Sequence, residues 1–259
     1  MRSARTACYR RKVCTDVTGD LLEVAANSVA SALAARAGGA GRIELCTALE
    51  LGGLTPSHAQ IALVRERVAL PLYVLIRPRA GDFLYDDREI DTMRRDIEAC
   101  ASLGCDGVVI GVLDADGDVD MARCRALVTV AGGMGVTFHR AFDMARDPSR
   151  ALEDVIALGA ERILTSGGAR SAMEGTTRIR ALVEQAHDRL IVMPGAGIDP
   201  GNITTLRRLT GAREFHASAK SELPSAMRFT HAVLPEMAGG EIRSDVDTVR
   251  ALVAALGEI

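Results

Sequence analysis

From Leu21 onward the chain alternates short runs rich in Val, Ile and Leu with longer amphipathic stretches, and this βα rhythm narrows its possible folds most. The pattern predicts strands over 21–26, 42–46, 71–77, 106–113, 135–140, 162–166, 190–194 and 213–218. Helices are predicted over 28–37, 57–68, 87–103, 120–131, 149–158, 171–186, 199–209 and 245–256. Helix-to-strand joints carry Gly, as in Gly38-Gly39-Ala40, Gly104-Cys105-Asp106, Gly159-Ala160-Glu161 and Gly211-Ala212-Arg213, where a left-handed residue ends the helix. Thr55-Pro56, Asp147-Pro148 and Asp199-Pro200 each offer an N-cap followed by Pro at the first helical position. No Asn-Gly or Asp-Gly turn joins two strand candidates, so the sheet is expected to be parallel. Eight such units in a chain of 259 residues predict an α/β fold, a single-domain (β/α)₈ TIM barrel over 21–259. A dinucleotide-binding fold would need G-x-G-x-x-G after the first strand, where the chain reads Ala25-Ala26-Asn27-Ser28-Val29.

Composition serves mainly to exclude. With 48% apolar and 25% charged residues the chain can bury a large core, and a net charge of −3 supplies no field for nucleic acid or an anionic membrane. No run approaches the ~20 apolar residues of a membrane span. Residues 1–20 carry Arg2, Arg5, Arg10, Arg11 and Lys12 without an apolar leader segment, and are expected to form a disordered extension. The cysteines, Cys8, Cys14, Cys46, Cys100, Cys105 and Cys124, show no CxxC pair, which fits reduced thiols and a cytoplasmic location. Cys100 and Cys105 read as packed small apolar groups, and His58, His187 and His231 as surface residues.

In a barrel of this kind, functional side chains come from strand C-termini and the loops after them. Those positions hold Glu23, Glu44, Cys46, Arg77, Arg79, Asp82, Asp114, His139, Arg140, Asp143, Thr165, Ser166, His216 and Ser218. Strand parity groups Glu23 with Ala25, Glu44 with Cys46, Arg77 with Leu75 and His216 with Ser218, pointing each set into the barrel. Carboxylates, arginines and imidazoles converging there suit acid–base work, with Glu23, Glu44, His139 and Asp143 as the candidate acids and bases. The same groups would equally serve as an ion-pair network that fixes the barrel interior. Ser166-Gly167-Gly168 after strand six and Gly195-Ala196-Gly197 after strand seven suit an anion held by backbone N–H groups, with Lys220 just past strand eight. Arg77, Arg79, Asp82, Arg140, Ser166, Gly167, Gly195, Gly197, His216 and Ser218 are therefore the expected substrate contacts. The run Asp114–Asp120 imitates a calcium loop, but Gly117 comes two places early and Arg125 stands where the bidentate Glu belongs, so a turn with Asp120 capping the next helix is expected.

Several segments taken together resemble the CutC family across residues 21–220: Arg42-Ile43-Glu44-Leu45-Cys46, Gly52-Gly53-Leu54-Thr55-Pro56-Ser57 and Ile76-Arg77-Pro78-Arg79-Ala80-Gly81-Asp82-Phe83. Gly111-Val112-Leu113-Asp114, Thr137-Phe138-His139-Arg140-Ala141-Phe142-Asp143, Leu164-Thr165-Ser166-Gly167-Gly168 and Gly195-Ala196-Gly197 extend the likeness. The resemblance implies a cytoplasmic barrel linked to copper homeostasis, with Cu(I) binding proposed for some members and a homo-oligomeric state expected. It further implies metal ligation by one cysteine at the end of strand one and another at the end of strand two. Cys46 matches the second, whereas strand one reads Glu23-Val24-Ala25-Ala26. Three functions follow as expectations: a Cu(I)-binding protein centred on Cys46; a lyase, isomerase or hydrolase for a small phosphorylated or carboxylated metabolite; and a non-catalytic barrel that binds a protein partner.

Overall fold

In the computed structural model, which describes residues 19–229, 233 and 239–257, eight parallel strands form one sheet with a helix following each. The order is β1 (Leu21–Ala26), α1 (Val29–Gly38), β2 (Arg42–Leu45), α2 (His58–Arg67), β3 (Leu72–Leu75), α3 (Asp87–Ser102), β4 (Gly107–Ile110) and α4 (Met121–Ala131). It continues with β5 (Gly135–Phe138), α5 (Pro148–Leu158), β6 (Arg162–Thr165), α6 (Thr176–Ala186), β7 (Ile191–Pro194), α7 (Ile203–Thr210) and β8 (Glu214–Ala217). A hairpin of β9 (Lys220–Leu223) and β10 (Glu241–Ser244) then leads into α8 (Val246–Gly257). The sheet runs β7-β6-β5-β4-β3-β2-β1-β8, so pairing of β1 with β8 curls it into a barrel whose one unlaced seam lies between β7 and β8. The expected extension falls almost wholly outside the described residues, as do Cys8, Cys14 and His231.

Strand parity explains the layers. Val24, Ala26, Ile43, Leu45, Val74, Ile76, Val108, Ile110, Phe138, Ile163, Val192 and Phe215 point outward into the core shared with the helices. Each buried aliphatic side chain there contributes roughly 1.5–3 kcal/mol. The alternate positions face inward and include every charged residue of the eight strands, so the barrel axis holds the charges. Several helices are capped as their sequences predict. Asp147 accepts from Ser149 and Arg150 with Pro148 at the first position of α5, and Asp86 and Glu89 form a reciprocal capping box on α3. Thr55 and Asp199 do not cap: Ser57 is the N-cap of α2, and Asn202 precedes α7 because Asp199–Gly201 close a turn of their own. Asp120 caps α4 as expected, after a turn in which Asp114 Oδ1 accepts from the N–H groups of Asp116 and Asp118.

The β9–β10 hairpin is an element that the sequence pattern misses. Lys220-Ser221-Glu222-Leu223 is polar and half exposed, and its partner strand lies beyond a long connection, so neither apolar periodicity nor a short turn betrays it. Asn27 Nδ2 donates to Ile242 O at 2.7 Å and Ser244 Oγ to Ser218 O at 2.9 Å, which anchors the hairpin over the ends of β1 and β8. That places Lys220 and the start of α8 at the rim of the barrel mouth.

Candidate functional site

A cavity of about 760 Å³ opens at the C-terminal end of the barrel. Its lining includes Ala25 of β1, Glu44 of β2 with Cys46 after it, Leu75, Arg77 and Phe83 from the β3 side, His139 and Arg140 after β5, Ala196 and Gly197 after β7, and His216, Ser218 and Lys220 from β8 onward. Glu44, Cys46, Arg77, His139, Arg140, Asp143, Gly197, His216 and Ser218 are thus brought together. Glu23 lies two residues before Ala25 on the same strand face, hence below the lining, and is wholly buried. Ser166, Gly167 and Gly195 do not line the cavity.

Beneath the floor runs a network of buried charges. Glu23 accepts from Arg42 Nε at 2.5 Å and pairs with His216 Nδ1 at 2.8 Å; Arg42 and Arg162 also meet Glu214, at 2.5 and 3.2 Å. Tyr73 lies under both guanidinium groups, and its hydroxyl donates to Glu161 at 2.6 Å. Burial opposes charge on Glu23, yet Arg42 and then His216 hold its carboxyl well below the usual range. His216 is desolvated too, but Glu44 and the hydrogen bond that it donates to Glu23 raise it above its ordinary value. Arg42, Tyr73, Arg162 and Glu214 were absent from the expected site, although the parity that selects Glu44, Leu75, Leu164 and His216 reaches each of them two residues earlier.

Glu44 differs from Glu23. The residue is 5% exposed, Oε2 has no hydrogen-bond partner among the described residues, and burial pushes the carboxyl up to about 7 against the pull of His216. One ligating atom from each of Glu23, Glu44 and His216 falls within 4.8 Å of the others. A carboxyl that titrates near neutrality beside an imidazole already tied to a second carboxylate has the composition of a proton-transfer site.

His139, at the far wall, is held in one state. Its Nδ1 accepts from the Ala141 N–H at 3.1 Å, so the ring proton sits on Nε2, which is buried and unpartnered. Burial, then the nearby Arg77, lower it to about 3, and the ring is neutral. Phe83 packs on it at 5.1 Å, and Gly111 makes room for it, since a Cβ there would stand 2.4 Å from the imidazole.

The two arginines of the β3 loop have separate surroundings. Arg77 gives its Nη atoms to the carbonyls of Leu51, Gly53 and Gly81 at 2.8 to 2.9 Å, fastening the loop after β2 to the loop after β3. Arg79 and Asp82 lie outside the cavity lining, paired with each other at 2.9 Å, while Arg79 also binds Glu89 at 2.6 Å. The N–H cradle after β6 is filled by the chain itself. The Asp143 carboxylate accepts from Thr165 Oγ1 at 2.5 Å, the Ser166 and Gly168 N–H groups at 3.1 and 3.0 Å, and Arg140 Nε at 2.8 Å. In the loop after β7, Ala196 and Gly197 both adopt positive φ, and Asn202 Nδ2 fixes the Gly197 carbonyl at 2.8 Å.

Cys46 is 1% exposed and packs with Tyr73, Leu75 and Val109. Burial, then Glu44, push its thiol well above its ordinary value. Ala25 occupies the strand-one position. Of the nearby soft donors, Met193 Sδ already accepts from Arg42 at 3.3 Å, and Met144 is exposed at the rim. This donor set does not fit a two-thiolate Cu(I) site.

A nearly closed parallel barrel with ionisable groups gathered at its C-terminal mouth defines a TIM-barrel protein with a cluster of buried ionisable groups. The model of the CutC family matches residues 20–221, and the chain belongs to that family. It is 56% identical over 237 residues to a family protein CutC of Xylella fastidiosa (92% of this chain, 89% of that one). It is 46% identical over 247 residues to the copper homeostasis protein cutC homolog of Mus musculus (93% and 91%). The crystal structure of CutC from Streptococcus agalactiae superposes with a TM-score of 0.73 at 31% identity, covering 77% of this chain and 98% of that one. Among the described residues no helix is long and apolar enough to cross a membrane.

Proposed function

We propose that this CutC-family barrel binds a small carboxylated or phosphorylated molecule at its mouth and moves a proton on it, with Glu44 as the acid–base group. The observation that carries this reading is the buried, unpartnered Glu44 Oε2 beside the His216–Glu23 pair on the cavity floor. A carboxyl kept from water yet left without a partner has its pKa where proton transfer at neutral pH is efficient. The raised pKa of His216 favours a cationic N–H beside it, while Lys220 and the Ala196-Gly197 loop, at the ends of β8 and β7, receive the anionic part of the ligand.

Thermal shift against a panel of phosphorylated and carboxylated metabolites tests this, with wild type and Glu44→Gln side by side. A stabilising ligand whose affinity drops about tenfold or more in the variant is expected. A panel without a response, or equal responses in both proteins, defeats the reading. The copper reading rests on a separate observation, that Cys46 and Met144 line the same cavity. It treats Cu(I) as cargo held by one thiolate and soft neighbours, and direct Cu(I) competition decides it.

A further inference from the structure

The reading of Glu44 as the proton-transfer group leaves a second buried, unpartnered atom in the same cavity unexplained. His139 Nε2–H is a hydrogen-bond donor that nothing in the described protein satisfies. Its surroundings fix the ring rather than leave it loose: Ala141 holds Nδ1, Phe83 packs on one face, and Gly111 gives the room that any side chain would take. Burial, and after it Arg77, whose guanidinium stacks on Phe83 at 5.1 Å, keep the ring from taking a second proton. His139 is thus a rigid, neutral N–H donor on the β5 side of the cavity, with Glu44 on the β2 side.

Donor and acceptor of these two kinds suit one class of ligand. A cationic donor binds an oxygen that is already an anion, whereas a neutral imidazole favours an oxygen that gains charge during the reaction. We propose that the substrate is a carbonyl compound bearing a C–H next to the carbonyl, with its oxygen on His139 Nε2–H and that C–H facing Glu44. This assignment rests on the acid–base reading of Glu44 and adds the substrate class and a second catalytic residue. In the step, the ionised Glu44 carboxylate takes the proton from carbon. The C–H electron pair becomes the C=C bond, and the carbonyl π pair moves to the oxygen, where His139 Nε2–H holds it. Return of the proton from Glu44 to the same carbon gives exchange; where that carbon also carries a hydroxyl, transfer of the hydroxyl proton to the first oxygen and return of the carbon proton to the former carbonyl carbon gives isomerisation, with no oxidant or reductant consumed.

The test uses the full chain labelled with ¹⁵N in its imidazoles and glycolohydroxamate, a planar mimic of an enediolate, as the probe. His139, assigned by comparison with His139→Phe, is expected to show a neutral ring with the proton on Nε2 between pH ~5 and ~8. Millimolar glycolohydroxamate is expected to shift that Nε2–H resonance, and to bind about tenfold more weakly to His139→Phe and to Glu44→Gln. Should His139→Phe fail to fold, His139→Asn takes its place, and the wild-type spectra stand without either. A wild-type His139 that titrates near its ordinary value, or an Nε2–H resonance unmoved by the probe, overturns the assignment. Probe affinity reduced by Glu44→Gln alone removes His139 and leaves the proton-transfer reading standing; equal affinity in all three proteins removes both.

Discussion

His216 Nδ1 stands 2.8 Å from Glu23 Oε1, which ties the imidazole on the cavity floor to a carboxylate that no solvent reaches. Glu23 in turn shares Arg42 with Glu214, so the mouth is joined to a charged layer that crosses the barrel axis. Glu23→Gln leaves Arg42 short of a counter-charge in a buried site and is expected to cost roughly 3–5 kcal/mol in urea denaturation. The same change lowers the His216 pKa, because a carboxylate that favours the imidazolium has gone, and an NMR titration of the ring reads that shift.

Stability should fall as pH rises toward neutrality and beyond. Glu44 has its folded pKa raised to about 7 from 4.5, so the unfolded chain releases this proton first, and the native state loses ground between those two values. His216 is also raised above 6.5; its contribution is fully present below that value and is lost as pH climbs through the folded pKa. Glu23 acts in the other direction, but only at acid pH, since its stabilisation is present above the unfolded value and lost below. The expected decline from pH 4.5 to 7 is on the order of 2–3 kcal/mol. Glu44→Gln should flatten this part of the curve and be the more stable protein at pH ~8. Urea midpoints across pH for both proteins check it, and parallel curves would refute the assignment.

The barrel was legible in the sequence because each level of signal agreed: apolar alternation in the strands, Gly at helix ends, and the charged residues of the strands confined to one parity. That parity brought out Glu44 with Cys46 and His216 with Ser218. Depth was not legible. Glu23 shares its face with Ala25 yet lies below the cavity, because the height of a residue in a tilted, staggered sheet depends on register across β8, β1 and β2, which no single strand encodes. Nor does residue type reveal who satisfies whom. Asp143 looks like a catalytic acid in sequence but fills the N–H cradle after β6, and Arg77 looks like an anion clamp but spends its Nη atoms on backbone carbonyls.

Arg77 and Arg79 should therefore behave very differently. Arg77→Ala strands the carbonyls of Leu51, Gly53 and Gly81, and a loss of roughly 2–4 kcal/mol is expected, with faster hydrogen exchange in the loops after β2 and β3. Arg77→Lys rescues little, since one ammonium cannot span three acceptors held by a planar fork. Arg79→Ala, which breaks partly exposed pairs with Asp82 and Glu89, should cost less than about 1 kcal/mol. Exchange mass spectrometry on the three variants separates the two roles.

Asp143 does for its loop what a bound phosphate does in other barrels. Asp143→Ala empties the cradle formed by Thr165, Ser166, Gly168 and Arg140, and a loss of roughly 2–4 kcal/mol is expected. An inorganic anion should then substitute for the missing carboxylate. Sulfate at about 100 times its dissociation constant would restore about 2.7 kcal/mol to the variant. Wild type, whose cradle is filled, should gain far less in the same thermal-shift series.

The last prediction concerns Cys46 and the residue across the sheet from its neighbour. Ala25 pairs in register with Glu44, and Ala25 and Cys46 both face the cavity. Cu(I) binding at Cys46 alone would have to remove a proton that burial and Glu44 both hold on the thiol, and would gain one soft ligand in return. In a background with Cys8 and Cys14 replaced by serine, wild type and Cys46→Ala are therefore expected to compete equally weakly with a chromogenic Cu(I) chelator. Ala25→Cys supplies the second thiol on the neighbouring strand and should raise Cu(I) affinity by at least about tenfold, a gain that the added Cys46→Ala change abolishes. Tight Cu(I) retention by the parent, lost on Cys46→Ala, would instead establish one thiolate with soft neighbours as sufficient and return copper to the centre of this barrel's function.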